Sequence, residues 1–306
     1  MVRLTVTFLG TSSAAPTEGR GLPGIAIQRE GEVMILDCGE GVQREIIRRG
    51  IGLNKETTVL ISHLHGDHVT GLLGLLQTMS MAQRSRPLTI VGPESLTRWL
   101  SVTNEIMKLG LTFDIRFVPA RAGTLLKGKT FTVRACRADH SVEAYCYRVD
   151  ERPRPGTFHP EKARALGIPE GKLWSSLQKG RSVRVGRRRI RPSEVIDPSR
   201  PGRSIGYSGD TRPSGRYTKF FEYCDLLIFD STFSSKDSVR AVERKHSTAG
   251  EAAEVARRTH AGRLVLTHFS ARYKSVSSLV REARKIFPNT IAAYDGLRAD
   301  VEYPSS

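Results

Sequence analysis

The feature that most narrows what this chain can become is the run His63-Leu64-His65-Gly66-Asp67-His68. It gathers three of the eight histidines and a carboxylate into six residues. Residues 57–62, just before it, have strand character. An extended strand end puts His63 and His65 on one side, because side chains alternate with period two. Gly66 frees the backbone so that Asp67 and His68 turn toward a neighbouring point. Imidazole and carboxylate are good zinc ligands, and this spacing can serve two ions side by side.

Three more polar residues stand at predicted strand ends. His140 follows a strand over 130–136, Asp210 follows one over 204–208, and His268 closes one over 263–267. Each alone reads more readily as a cap or a core polar group than as a ligand. Together with the histidine run they place ligands at four strand ends, and such ends converge on one edge of an α/β layer. Seven ligands suffice for two metals with a shared water.

The surrounding pattern is strands with helices interleaved in both halves. Strands are predicted over 2–9, 24–29, 32–37, 57–62, 88–91, 113–118, 130–136, 144–149, 204–208, 226–230 and 263–267. Helices are predicted over 42–49, 69–82, 93–108, 248–259 and 275–285. This describes a layered α/β sandwich rather than a bundle or barrel. At 306 residues the chain can bury a substantial core without disulfides, and we expect one domain over 1–306. Cys38, Cys136, Cys146 and Cys224 form no C-x-x-C pair, which argues against a cysteine zinc site and for a reducing compartment. No stretch has the ~20 apolar residues of a membrane span, and residues 1–10 lack a signal-peptide core. A cytoplasmic enzyme is expected.

Lys and Arg number 48 against 31 Asp and Glu, a net charge of +17. Residues 151–195 carry 12 basic and 4 acidic residues, so nearly half of the net charge lies there. The segment is rich in Pro and Gly and poor in large apolar residues, which predicts an inserted basic arm outside the main core, with a short helix over 161–166. A field of this sign concentrates polyanions.

These motifs resemble those of the short ribonuclease Z family within the metallo-β-lactamase superfamily. The resemblance covers nearly the whole chain. It rests on Phe8-Leu9-Gly10-Thr11-Ser12, on Leu36-Asp37-Cys38-Gly39-Glu40-Gly41-Val42-Gln43-Arg44, and on the His63–His68 run. Ala138-Asp139-His140, Ser208-Gly209-Asp210 and His268-Phe269-Ser270-Ala271-Arg272-Tyr273 complete it. It implies an αββα metallo-β-lactamase sandwich with an inserted flexible arm. It also implies a zinc-dependent endoribonuclease that removes the 3′ trailer from tRNA precursors by metal-hydroxide attack, leaving a 3′-hydroxyl. By the same resemblance His63, His65 and His140 hold one Zn2+; Asp67, His68 and His268 hold a second; Asp210 bridges both. Asp67 also orients or deprotonates the attacking water. Asp37 is either a supporting carboxylate for a ligating histidine or a structural strand-end residue.

His246 matches the family's His-Ser-Thr motif and would act as acid toward the leaving oxygen. Asp230 could orient it, although Phe229-Asp230-Ser231-Thr232 departs from the family's His-Glu-Ala-Thr and leaves that pairing open. Arg272 reads as a phosphate clamp or an ordinary salt bridge. His159 and His260 have no supporting motif and are expected to be uninvolved. The 151–195 arm resembles the family's exosite, with 167–171 as its hand. By the same resemblance Arg187, Arg188, Arg189 and Arg191 would touch the phosphates of a precursor tRNA, in a homodimer one bound at the other subunit. The loop Pro16-Thr17-Glu18-Gly19-Arg20-Gly21 departs from the family's Pro-x-Lys-x-Arg-Asn pattern, which leaves the cut position relative to CCA open. The alternative is a small-molecule or cyclic phosphodiesterase on the same fold.

Overall fold

A computed structural model describes residues 2–303. It separates into two compact units, residues 2–150 with 204–302, and residues 151–203 with Tyr303.

The first unit is built on two seven-stranded sheets. One runs, edge to edge, Arg298–Asp300, Thr5–Gly10, Gly24–Arg29, Glu32–Cys38, Glu56–Leu60, Leu88–Gly92 and Ile115–Pro119. The other runs Thr290–Ala292, Leu264–Thr267, Leu226–Asp230, Ser204–Tyr207, Tyr145–Glu151, Phe131–Arg137 and Gly123–Lys127. Alternation along the strands sorts their side chains. Val6 and Phe8, Ile25 and Ile27, Tyr145, Tyr147 and Val149, and Ile228 meet in one buried cluster between the sheets. The opposite parity, with Leu9, Ala26, Val33 and Ile35, joins Leu72, Leu75 and Leu76 of the helix Gly71–Met81 on the outer face of the first sheet. Leu227, Phe229, Leu264 and Leu266 do the same on the second sheet against the helices Ala249–Arg258 and Ser277–Arg284. The result is the expected αββα layering.

The short strands Gly123–Lys127, Thr290–Ala292 and Arg298–Asp300 were not among the predicted elements. They are edge or near-edge strands of three to five residues, too short to show a period, and their pairing is set by the longer neighbours. Among the described residues no helix is long and apolar enough to cross a membrane.

The second unit extends to Arg203, beyond the 151–195 boundary expected from composition. It holds the helices Pro160–Ala165 and Lys172–Gln178 and a hairpin of Val183–Val185 with Arg188–Ile190. Sparse apolar residues give it a small core of its own, from Ala163, Ile168, Leu177, Val183, Ile190 and Val195. At its base the buried Arg203 Nε donates to Glu151 Oε2 at 2.8 Å, and the Arg154 and Arg203 guanidinium groups lie over the Tyr303 ring.

Candidate metal centre

The strand ends of the first unit bring the predicted ligands together. His63 follows Glu56–Leu60, His140 follows Phe131–Arg137, Asp210 follows Ser204–Tyr207, and His268 follows Leu264–Thr267. Ligand atoms of His63, His65, His140 and Asp210 lie within 4.8 Å of one another, as do those of Asp67, His68, Asp210 and His268. Asp210 belongs to both groups. Several of these turns need unusual backbone. Asp37, His268 and Lys245 have φ of +55°, +63° and +57°, the strained left-handed region that clusters at functional sites. Gly209 also has positive φ, and a Cβ there would stand 2.9 Å from the Ser62 Cβ, so only glycine fits before Asp210.

Hydrogen bonds on the far ring nitrogens decide what the histidines offer inward. Asp37 Oδ2 accepts from His68 Nδ1 at 2.7 Å, which leaves Nε2 facing inward as the nitrogen a metal would take. Thr232 Oγ1 donates to Asp230 and therefore accepts from His268 Nδ1 at 2.9 Å. Ser62 Oγ donates to Asp37 and accepts from His63 Nδ1 at 2.9 Å. The Lys245 carbonyl accepts from His140 Nδ1 at 3.0 Å. The inner nitrogens face one another: His68 Nε2 and His268 Nε2 are 3.2 Å apart, and His140 Nε2 is 3.2 Å from His65 Nδ1. Among the described residues, His63 Nε2 and Asp210 Oδ1 are buried without a hydrogen-bond partner. Asp210 Oδ1 lies 3.3 Å from both His68 Nε2 and His268 Nε2. Converging ring nitrogens around a shared carboxylate are what a divalent cation satisfies, and this N/O set fits one.

The electrostatics agree. Burial, aided by His68, holds His63 well below the usual imidazole range, and burial also lowers His65 and His140. All three are then neutral and ready to ligate at pH 7. Burial would raise Asp210, yet His268, His68 and His246 hold it well below the carboxylate range. Burial would lower His68, but Asp210 and Asp37 lift it well above its usual value. The carboxylate field that draws a proton onto His68 is the field a cation would meet, and metal binding would displace that proton.

His246 stands beside the cluster in a cavity of 560 Å³, which His65, His140, Phe233, Arg244 and Ser270 also line. Asp230 Oδ2 holds its Nδ1 at 3.0 Å, so the pairing that the sequence left open is present. Burial opposes protonation of His246, but Asp230 and Asp210 outweigh it and push the pKa up to about 9. Arg272 is outside the cluster. Its Nη1 donates to Asp237 at 3.2 Å and its guanidinium lies over Phe233. Arg187, Arg188, Arg189 and Arg191 are exposed in the second unit, with Arg188 paired to Glu194 at 2.9 Å. His159 bridges Glu161 and Asp197, and His260 stacks on Tyr223. In the 16–21 loop, Arg20 Nη2 donates to the Tyr273 carbonyl at 2.9 Å.

Several residues of the site carried no recognisable signal. Tyr207 donates to Asp37 at 2.6 Å, and Ala14 N donates to Asp67 Oδ2 at 2.8 Å. Thr232, in the sequence only the last residue of the 229–232 motif, reaches both His246 and His268.

Comparison with known proteins gives these features a family. Residues 4–148 match the family model described as Anti-Pycsar protein Apyc1, and residues 187–269 match the beta-lactamase superfamily domain. Ribonuclease Z of Nitrosopumilus maritimus is 43% identical over 299 residues, covering 98% of this chain and 100% of that protein. Ribonuclease Z of Methanosarcina acetivorans is 40% identical over 301 residues, 98% of this chain and 99% of that one. The crystal structure of human tRNase Z, short form, superposes with a TM-score of 0.71 at 26% identity, over 97% of this chain and 99% of that chain. With its strand-end histidines and aspartates set in an αββα sandwich, this chain belongs to the ribonuclease Z family of metallo-β-lactamase-fold proteins.

Proposed function

We propose that this chain is an endoribonuclease that removes the 3′ trailer from tRNA precursors, with zinc, two ions per subunit, at the strand-end cluster. The observation that carries the reading is the seven-residue ligand set beside the His246–Asp230 pair, in a chain that is 43% identical to a ribonuclease Z over its full length. His63, His65 and His140 would hold one ion, Asp67, His68 and His268 the other, with Asp210 shared. When bound, such ions supply Lewis-acid charge at the phosphoryl oxygens and acidify the attacking water.

The protein's own groups do the rest. Asp67, steadied by Ala14 N, orients the water and takes its proton. The water oxygen bonds to phosphorus as the bond to the ribose 3′-oxygen breaks. His246 gives its proton to that departing oxygen, and Asp230 keeps the imidazole aligned while charge shifts. Arg272 clamps a substrate phosphate once released from Asp237. Arg187, Arg188, Arg189 and Arg191 hold phosphates of the tRNA body, whose shape is what such contacts select. A homodimer would set the second unit of one subunit against a tRNA bound at the other. The four free cysteines suit a reducing cytoplasm.

A small or cyclic phosphodiester would fit the same cluster but gives no use for a basic 151–203 unit. The deciding experiment is cleavage of a precursor tRNA bearing a 3′ trailer by the wild type and by Asp67→Ala. Cleavage near the CCA position by the wild type alone supports the proposal. A metal-loaded protein that spares the RNA and hydrolyses a small diester moves the assignment to the small substrate.

A further inference from the structure

The segment Lys245–Ser247 beside the cavity is braced from several sides. Lys245 is in the left-handed region, and its carbonyl receives His140 Nδ1. Ser247 Oγ donates to the Thr211 carbonyl at 2.5 Å, and Ser247 N to Asp230 Oδ2 at 3.3 Å. The carbonyl of His246 itself accepts from Arg212 Nη1 at 2.6 Å. That guanidinium is locked by Glu251: Nη1 donates to Oε2 at 2.8 Å, and Nη2 donates to Oε1. Glu251 Oε2 also accepts from Thr248 N at 2.8 Å, closing the capping box of the helix Ala249–Arg258. On its other side Arg212 N donates to the Asp139 carbonyl at 2.9 Å, next to His140. The Arg212 side chain is 16% exposed and that of Glu251 32%, so the guanidinium is the more sheltered half of the pair.

Two charged residues therefore set the pose of His246. Asp230 grips the ring at Nδ1, and Arg212 grips the backbone, with Glu251 fixing the guanidinium plane. A lysine in place of Arg212 could keep the charge but could not make the two-pronged contact and reach the carbonyl together. We propose that Arg212, locked by Glu251, is the positioning residue for His246 in cleavage. The proposal rests on reading His246 as the donor to the leaving oxygen.

Chemistry supplies a test that a merely structural role would fail. A ribose 3′-oxygen must be protonated as it departs, whereas p-nitrophenolate leaves without a proton. A misplaced donor therefore slows only the first reaction. The experiment compares Arg212→Ala, Arg212→Lys and His246→Ala on precursor tRNA and on bis(p-nitrophenyl) phosphate, with bound metal and thermal melting measured on each protein. For Arg212→Ala, kcat on RNA should fall roughly 10²-fold, as expected when a reacting group is displaced by about 1 Å. KM, metal content and nitrophenyl ester hydrolysis should stay within about twofold of wild type, and Arg212→Lys should recover part of the RNA activity. Arg212→Lys also keeps the test usable if the alanine variant fails to fold. An equal fall on both substrates, a loss of metal, or no fall on either would overturn the proposal. If His246→Ala slows both substrates alike, the assignment of His246 as leaving-group donor fails, and that failure is visible separately from the Arg212 result.

Discussion

At the scale of single residues, Asp37 shows how much one buried carboxylate organises. It accepts from Ser62 N at 2.6 Å, Ser62 Oγ at 2.8 Å, Tyr207 Oη at 2.6 Å and His68 Nδ1 at 2.7 Å. Ser62 in turn supports His63, so one carboxylate sets two imidazoles, one in each ligand group. Asp37→Asn puts an amide donor where four donors already point. It should weaken divalent-metal affinity about 10–100-fold, the usual range for partners behind metal-ligating histidines; equilibrium dialysis with zinc would measure this. Unchanged affinity would reduce Asp37 to a strand-end residue. His246→Ala is expected to act elsewhere in the cycle. It should leave metal binding intact and lower kcat on precursor tRNA by about 10²–10⁴, the contribution typical of a positioned acid. Single-turnover cleavage at saturating enzyme reads that step directly.

At the scale of elements, the helix Ala249–Arg258 begins where the active-site loop ends. Thr248 Oγ1 accepts from Glu251 N at 3.2 Å, and Glu251 returns the contact to Thr248 N, which satisfies two otherwise unpaired amides. Thr248→Ala removes half of that exchange. It should cost roughly 1 kcal/mol of stability, a fall of about 2–4 °C in Tm for a chain of this size, read in a reversible thermal melt. An unchanged Tm would mean that the Thr248 hydroxyl adds nothing to the start of this helix. This start was legible in the sequence, because Ser247-Thr248 with Glu251 three residues on is a local signal. The same holds for His63 to His68, whose sidedness follows from strand period. Asp230 and Arg212 were harder to place. Their partners, His246 and Glu251, are 16 and 39 residues away, and only strand order brings them together. The second unit was visible as charge and turn residues. Its core was not, since Ala163, Ile168 and Val195 are spread too widely to show a period.

At the scale of the whole molecule, charge and chemistry are divided between different parts of the chain. Of the net +17, +8 lies in residues 151–195, which contribute none of the metal-ligand set. Arg187, Arg188, Arg189 and Arg191 cluster at and after the turn of the Val183–Ile190 hairpin, all exposed, and among the described residues Arg188 alone of the four has a salt-bridge partner, Glu194. Exposed cations of this kind add little to folding. Against a polyanion, however, each phosphate they neutralise releases counterions and adds roughly 0.9 to the slope of log affinity against log salt. Replacing all four by alanine in an Asp67→Ala background, where the RNA is expected to stay uncut, should weaken precursor tRNA binding most at low salt. The slope should become shallower by at most about 3–4, less if Arg188 stays with Glu194. Filter binding between 50 and 300 mM salt would give both quantities. In the otherwise wild-type protein the four replacements should leave hydrolysis of a small phosphodiester unchanged, because no metal ligand is altered. A parallel loss on the small diester would mean that the hairpin supports the catalytic fold. An unchanged slope would mean that other basic residues, outside the hairpin, carry the RNA.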